Sequence, residues 1–154
     1  MTSVLFVCTG NICRSPTAEA VFRYALAQRG LAGKFTHDSA GTGGWHAGEA
    51  PDPRSQAMAR RFGVEMGDLK ARQVCGADFY AFDLILAMDE SHLKALGHIA
   101  PKDGTAQIAL YLPHCGQHGR EVPDPYYGGE DGFLRVYQMI EAATDGLLDK
   151  LTAN

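Results

Sequence analysis

The chain has 154 residues, 45% of them hydrophobic, and a formal net charge of −4. That length predicts a single domain over residues 1–154, burying roughly 68–70% of the surface its unfolded chain exposes. A negative chain with no long Lys/Arg run excludes a nucleic-acid-binding surface, and no apolar stretch approaches the ~18 residues of a membrane span. The first apolar run starts directly after Met1, so no secretory signal is expected. Four cysteines, Cys8, Cys13, Cys75 and Cys115, are no disulfide framework for a domain of this size and predict a reducing, cytoplasmic setting.

Taken in order, Val4-Leu5-Phe6-Val7-Cys8 reads as a strand, and Arg14-Ser15-Pro16 opens a helix, with Ser15 as cap and Pro16 in the first position. Ala18, Val21, Phe22, Ala25 and Leu26 mark one face of that helix, and Gly30 closes it. Phe35 to Ser39 predicts a second strand. Asp52-Pro53 reads as the cap and first residue of a helix with Ala57, Met58 and Phe62 on its apolar face and Gly63 as its stop. Leu84-Ile85-Leu86-Ala87-Met88 is a continuous apolar run, as in a strand covered on both sides. Asp89 caps a helix carrying Leu93 and Leu96, and Ile108 to Leu112 predicts the last strand. Phe133, Val136, Tyr137, Ile140, Thr144, Leu147, Leu148 and Leu151 then hold a 3.6-residue period through a terminal helix. The alternation predicts an α/β fold on a parallel sheet, whose ligands bind at the carboxyl ends of strands. Cys8 ends one.

The chemistry concentrates there. Thr9, Gly10, Asn11, Ile12 and Cys13 separate Cys8 from Arg14, so a thiol lies at the floor of a tight loop leading into a helix N-terminus. Backbone N–H groups of such a loop collect phosphate-like anions. Their partial charge, with the Arg14 guanidinium, is expected to lower the Cys8 pKa toward the thiolate. A thiolate beside a phosphate site predicts phosphoryl transfer to sulfur. The competing reading, a buried cysteine that merely ends a core strand, leaves the arginine, glycine and helix start unexplained. His114-Cys115-Gly116-Gln117-His118 has too few ligands, too crowded, for zinc and reads as a surface loop. His37, His46, His92 and His98 show no metal spacing, so neither metal nor cofactor is expected.

The motifs Cys8–Pro16, Ser39 with its glycine-rich loop, Trp45, Pro51-Asp52-Pro53-Arg54, Ala71-Arg72-Gln73, Met88-Asp89-Glu90-Ser91 and Asp124-Pro125-Tyr126-Tyr127 resemble the low-molecular-weight protein tyrosine phosphatases almost end to end. The resemblance implies a four-stranded parallel sheet in order 2-1-3-4 with helices on both faces. It implies Cys8 as nucleophile, Arg14 as the fork on two phosphate oxygens, and Ser15 as hydroxyl donor to the sulfur. Asn11 is implied to tie the loop in shape, partly through Ser39. Asp124 is implied as the general acid that a tyrosyl leaving group of pKa near 10 needs. Trp45, Tyr126 and Tyr127 are implied as walls around an aromatic ring. Tyrosine-phosphorylated proteins are the implied substrates, with phosphate and vanadate as inhibitors. Relatives that act on phosphoarginine carry threonine where this chain has Ile12, which favours phosphotyrosine. Relatives that join two loop cysteines imply Cys13 as a partner for an oxidised Cys8.

In one respect the chain departs from the family: Leu69-Lys70 stands where many relatives place a histidine that supports the loop asparagine. Arsenate reduction on the same cradle needs two further cysteines close together, whereas Cys75 and Cys115 are 40 residues apart. A catalytically idle phosphotyrosine-binding module is expected to lack Cys8, Arg14 or Asp124, and all three are present.

Overall fold

The computed structural model describes residues 1–153. Its strands are β1 (Thr2–Cys8), β2 (Phe35–Gly41), β3 (Leu84–Ala87) and β4 (Gln107–Leu110), all parallel, in the order β2-β1-β3-β4. The helices are α1 (Arg14–Gln28), α2 (Pro53–Arg61), α3 (Asp78–Ala81), α4 (Glu90–Ile99), α5 (Tyr111–His114) and α6 (Glu130–Thr152).

Period-two alternation in β1 divides the interior. Val4, Phe6 and Cys8 join the core shared with α1, α2 and α6, while Leu5 and Val7 join a smaller one with Phe79, Ile85, Ala87 and Leu96. Both faces are covered, which is why β1 is apolar at every inner position. Phe6 anchors the larger core, edge-on to Phe22 at 5.6 Å and to Tyr111 at 5.8 Å. The long α6 presents Val136, Tyr137, Ile140, Thr144, Leu147 and Leu148 to it, as the 3.6-residue pattern requires, and Leu151 is partly buried at the end of that stripe.

Several local expectations shift. Cys13 occupies the N-cap position of α1, so Ser15 is inside the helix and Pro16 is its third residue. First-turn N–H groups have no intrahelical acceptor, and a proline there sacrifices nothing. The Ser15 hydroxyl is thereby free for another partner. In α2, Asp52 caps as expected, its carboxylate accepting the Arg54 N–H at 2.8 Å, and Gly63 follows at φ +81°. Its buried residues are Ser55, Met58 and Ala59, however, while Ala57 faces solvent and Phe62 stacks on Tyr137 at 4.4 Å, partly exposed. β2 runs two residues further than expected, to Gly41, because Cys8 pairs with it. β3 ends at Ala87, and β4 ends at Leu110, where buried Tyr111 and Leu112 turn into α5. The one-turn α3 carried no periodic signal.

The fold delivers Cys8 to the carboxyl edge of a central strand, flanked by the ends of β2 and β3. Gly41 has to be glycine, because a Cβ there would lie 2.5 Å from the Thr9 carbonyl oxygen.

Candidate active site

β1 breaks off at Cys8, and backbone bonds to the segment after β2 hold the start of the next loop. Thr42 N–H donates to Cys8 O at 2.8 Å and Gly43 N–H to Thr9 O at 3.0 Å. The chain then reverses through Asn11 at φ +58°, a left-handed conformation that asparagine tolerates better than most side chains. Among the described residues, the backbone N–H groups of Gly10, Asn11, Ile12, Cys13, Arg14 and Ser15 donate to no other protein atom. Consecutive unpaired donors at a loop and helix start make an anion-binding concavity.

Side chains pin this shape from beneath. Asn11, 2% exposed, donates from Nδ2 to Ser15 Oγ at 2.8 Å and accepts the Arg72 N–H on Oδ1 at 3.0 Å. Ser15 Oγ lies 2.9 Å from Cys8 Sγ, and with Asn11 already donating to it, its own hydrogen can point at the sulfur. Ser39 does not reach Asn11, contrary to expectation. Its hydroxyl donates to Glu19 at 2.9 Å, because the buried Glu19 carboxylate, which also meets His37 at 2.7 Å, faces this part of β2 from α1. The Leu69 substitution leaves Asn11 supported, since the Arg72 partner is a backbone N–H that any side chain could accompany.

Arg14 is 3% exposed. Its Nη1 donates to Asp89 Oδ2 at 2.9 Å and to Val122 O at 3.1 Å, and Nη2 lies 3.5 Å from His92 Nε2, which leaves Nε and the second Nη2 hydrogen on the Nε–Nη2 edge for a ligand. Asp124 Oδ2 lies 3.7 Å from Nη2 on a half-exposed side chain, and its Oδ1 accepts the Tyr126 N–H at 3.0 Å. The Asp124 segment is tied to the sheet, Val122 N–H donating to Met88 O at 3.0 Å. A cleft of about 260 Å³ opens above Cys8, lined by Thr9, Gly10, Ile12, Cys13, Arg14, Trp45, His46, Asp124, Tyr126 and Tyr127. Trp45 and Tyr127, 74% and 92% exposed, stand at its rim, while Tyr126 is more enclosed.

Four residues read in the sequence as caps or bystanders also belong here. Asp89 and His92, at the start of α4, back Arg14, and His92 Nε2 is 2.7 Å from Thr9 Oγ1. Asp52 N–H donates to Ile12 O at 2.8 Å, and Arg54, held by Asp52, donates to Tyr126 O at 2.9 Å. The position of α4 right after a strand neighbouring β1 was the available signal for the first two. The others were marked by the Pro51-Asp52-Pro53-Arg54 motif of the resemblance, but with no role beyond the Asp52 cap.

Burial, with Arg14 adjacent, pushes His92 down to about 4. Burial raises the Asp89 carboxyl, but hydrogen bonds from Ser91 and Arg14 outweigh it and leave the group below its ordinary value. Burial pushes the Cys13 thiol up to about 12. Among the described residues no group of three or more His, Cys, Asp or Glu is placed to hold a metal ion, and no helix is long and apolar enough to cross a membrane.

A thiol under a ring of donors, with an arginine fork and a carboxyl at the mouth, can receive and activate a phosphate monoester. Residues 3–154 match the family described as low molecular weight phosphotyrosine protein phosphatase. The chain is 49% identical over 149 residues to a low molecular weight protein-tyrosine-phosphatase of Streptomyces coelicolor, covering 94% of this chain and 90% of that one. Among solved structures it resembles a protein tyrosine phosphatase of Entamoeba histolytica with Hepes in the active site, at TM-score 0.91 and 39% identity, over 98% and 97% of the two chains. It also resembles a Drosophila arginine phosphatase, at TM-score 0.92 and 34% identity, over 100% and 99%. The chain belongs to the low-molecular-weight protein-tyrosine phosphatase family and is an enzyme of that class.

The site's charges set an acid limit on stability. His92 and Asp89, together with Asp52 held by Arg54, bind protons less readily folded than unfolded. Their stabilisation is therefore complete above the unfolded values and is lost as pH falls. His92 governs the window from about 6.5 to about 4, with a loss on the order of 2–3 kcal/mol. His114, lowered by burial and Lys150, acts in the same direction, and the carboxylates extend the loss below about pH 4. Urea unfolding at about pH 7 and about pH 5 is expected to show this decline, and His92→Gln to flatten it. A decline of unchanged slope in His92→Gln would assign it to other groups.

Proposed function

We propose that the chain hydrolyses phosphotyrosine in proteins, and aryl phosphates generally, through a phosphocysteine intermediate on Cys8 with Asp124 as general acid and then general base. The observation that carries this reading is the run of unpaired N–H donors from Gly10 to Ser15 above Cys8 Sγ, with the Nε–Nη2 edge of Arg14 open beside it. Three equatorial phosphate oxygens need many fixed donors as charge develops, and preorganised donors are usually the largest catalytic contribution. Arg14 suits two of those oxygens because its fork is planar, and Asp89 and Val122 O hold it from behind.

In the first step Cys8 Sγ attacks phosphorus while Asp124 gives its proton to the departing phenolate. In the second, Asp124 takes a proton from water, which attacks the phosphocysteine and releases phosphate. The Ser15 hydroxyl at 2.9 Å steadies the departing sulfur. Trp45, Tyr126 and Tyr127 meet the aromatic ring of the substrate, and Ile12 adds an apolar contact where phosphoarginine would want a polar one. Vanadate and phosphate occupy the same cradle as inhibitors, and the need for a reduced Cys8 points to the cytoplasm as working compartment.

Metal-free turnover of p-nitrophenyl phosphate tests the reading. Cys8→Ser and Arg14→Ala are each expected to abolish it with the fold intact by circular dichroism, and appreciable turnover by Cys8→Ser would sink the covalent route.

Asp124→Asn is expected to slow phosphotyrosine hydrolysis by about 10²–10⁴ and to slow esters of acidic phenols clearly less. An equal loss across a series of phenol pKa values would remove Asp124 from the acid role.

Cys13 is assigned a protective redox role. Peroxide converts Cys8 to a sulfenic acid, and the Cys13 thiol then displaces water to form a disulfide. With Cys13 held as a buried, protonated thiol, closure follows rearrangement of the loop. Wild type inactivated by peroxide is expected to recover with dithiothreitol, and Cys13→Ser to recover less. Equal recovery without a Cys8–Cys13 link by mass spectrometry would refute the role.

A further inference from the structure

The phosphate loop is stitched at its start by backbone bonds to Thr42 and Gly43 and in its middle by Asn11. At the far end, Arg14 brings a positive charge to a stretch of unpaired N–H donors. These groups repel one another, so keeping the loop's two ends together requires a brace. His92 is in position to be that brace. It enters from α4, on a different strand connection, and its side chain is 2% exposed. Its Nε2 lies 2.7 Å from Thr9 Oγ1, the first residue after the nucleophile, and 3.5 Å from Arg14 Nη2.

Proton placement follows from the surroundings. Arg14 can only donate, so Nε2 has to be the unprotonated nitrogen and Thr9 the hydroxyl donor to it. Nδ1 then carries the hydrogen, 3.2 Å from Asp89 Oδ1 but without the alignment of a hydrogen bond. Asp89 in turn holds Arg14 Nη1. The opposite tautomer would set N–H against guanidinium and a lone pair against carboxylate. A neutral ring also avoids placing a second cation beside Arg14.

We infer that His92 is a positioning residue for phosphoryl transfer, acting through Thr9 and Arg14 to fix the span of the loop between nucleophile and arginine. Helix capping does not account for the side chain, since Asp89 caps α4 by accepting the His92 backbone N–H. The inference rests on Cys8 and Arg14 being the reacting site proposed above.

A double-mutant cycle tests it with p-nitrophenyl phosphate, using Thr9→Val, His92→Ala and the pair. Each single variant is expected to lose about tenfold in kcat, and the pair about tenfold rather than a hundredfold, because both remove one interaction. Vanadate, which imitates the transition state, is expected to lose more affinity than phosphate. His92→Gln, whose amide oxygen can still accept from Thr9, should recover most of the loss and keeps the test open should His92→Ala fold poorly. Additive losses, an unchanged vanadate-to-phosphate ratio, or His92→Gln as slow as His92→Ala would each overturn the inference while leaving the phosphatase reading intact. Turnover by a parallel Cys8→Ser control would overturn both.

Discussion

The site depends on one buried amide. Asn11 stands at a positive φ in the turn that brings a helix start back over the end of β1, and both ends of its side chain hold that turn. One end donates to Ser15, and the other accepts the Arg72 backbone N–H from a segment 61 residues away. Loop N–H groups that face a ligand cannot also hold the loop together, so the stabilisation has to come from side chains underneath. Ser15 passes the constraint on to the sulfur. Distortion at Asn11 would therefore reach the hydrogen bond at Cys8 Sγ and the donor ring together.

The larger elements were legible because their burial is periodic or continuous. β1 and β3 are covered on both faces and read as unbroken apolar runs, while α6 has one wet face and reads at 3.6 residues. Element ends were less legible. The position of Cys13 at the helix start follows from how the loop enters α1, which no propensity encodes. Ala57 was misjudged because α2, packed on α6, buries Ser55, Met58 and Ala59, a packing angle that a helical wheel does not contain.

The candidate site shows the same division. Cys8 and Arg14 were visible as residue types at a spacing suited to a chemistry, and Asp124 only through the family resemblance. Asp89, His92 and Arg54 act from behind others: Asp89 and Arg54 stood in motifs of the resemblance with no role attached, and His92 carried no signal but its place in a helix start. Ser39 shows the converse error: its link to Asn11 came from resemblance, whereas this chain gives the hydroxyl to Glu19 beside His37. Three-dimensional neighbours decide such pairings.

The attachment of the Asp124 segment separates two properties that share one cleft. Val122 is bound through its N–H to the end of β3 and through its carbonyl to Arg14, so the carboxyl's place is set on the sheet side, two residues before it is reached. Tyr126 and Tyr127 lie beyond, and Tyr126 is tied to Arg54 of α2 through both its carbonyl, at 2.9 Å, and its ring, whose centroid is 5.1 Å from the guanidinium carbon. The rim can thus be rewritten at positions 45 and 127 without passing strain back to the Asp124 carboxyl, whereas Tyr126 is bonded to it through its N–H. Such a scaffold lets the rim drift between descendants while the Cys8 loop beneath it stays as it is.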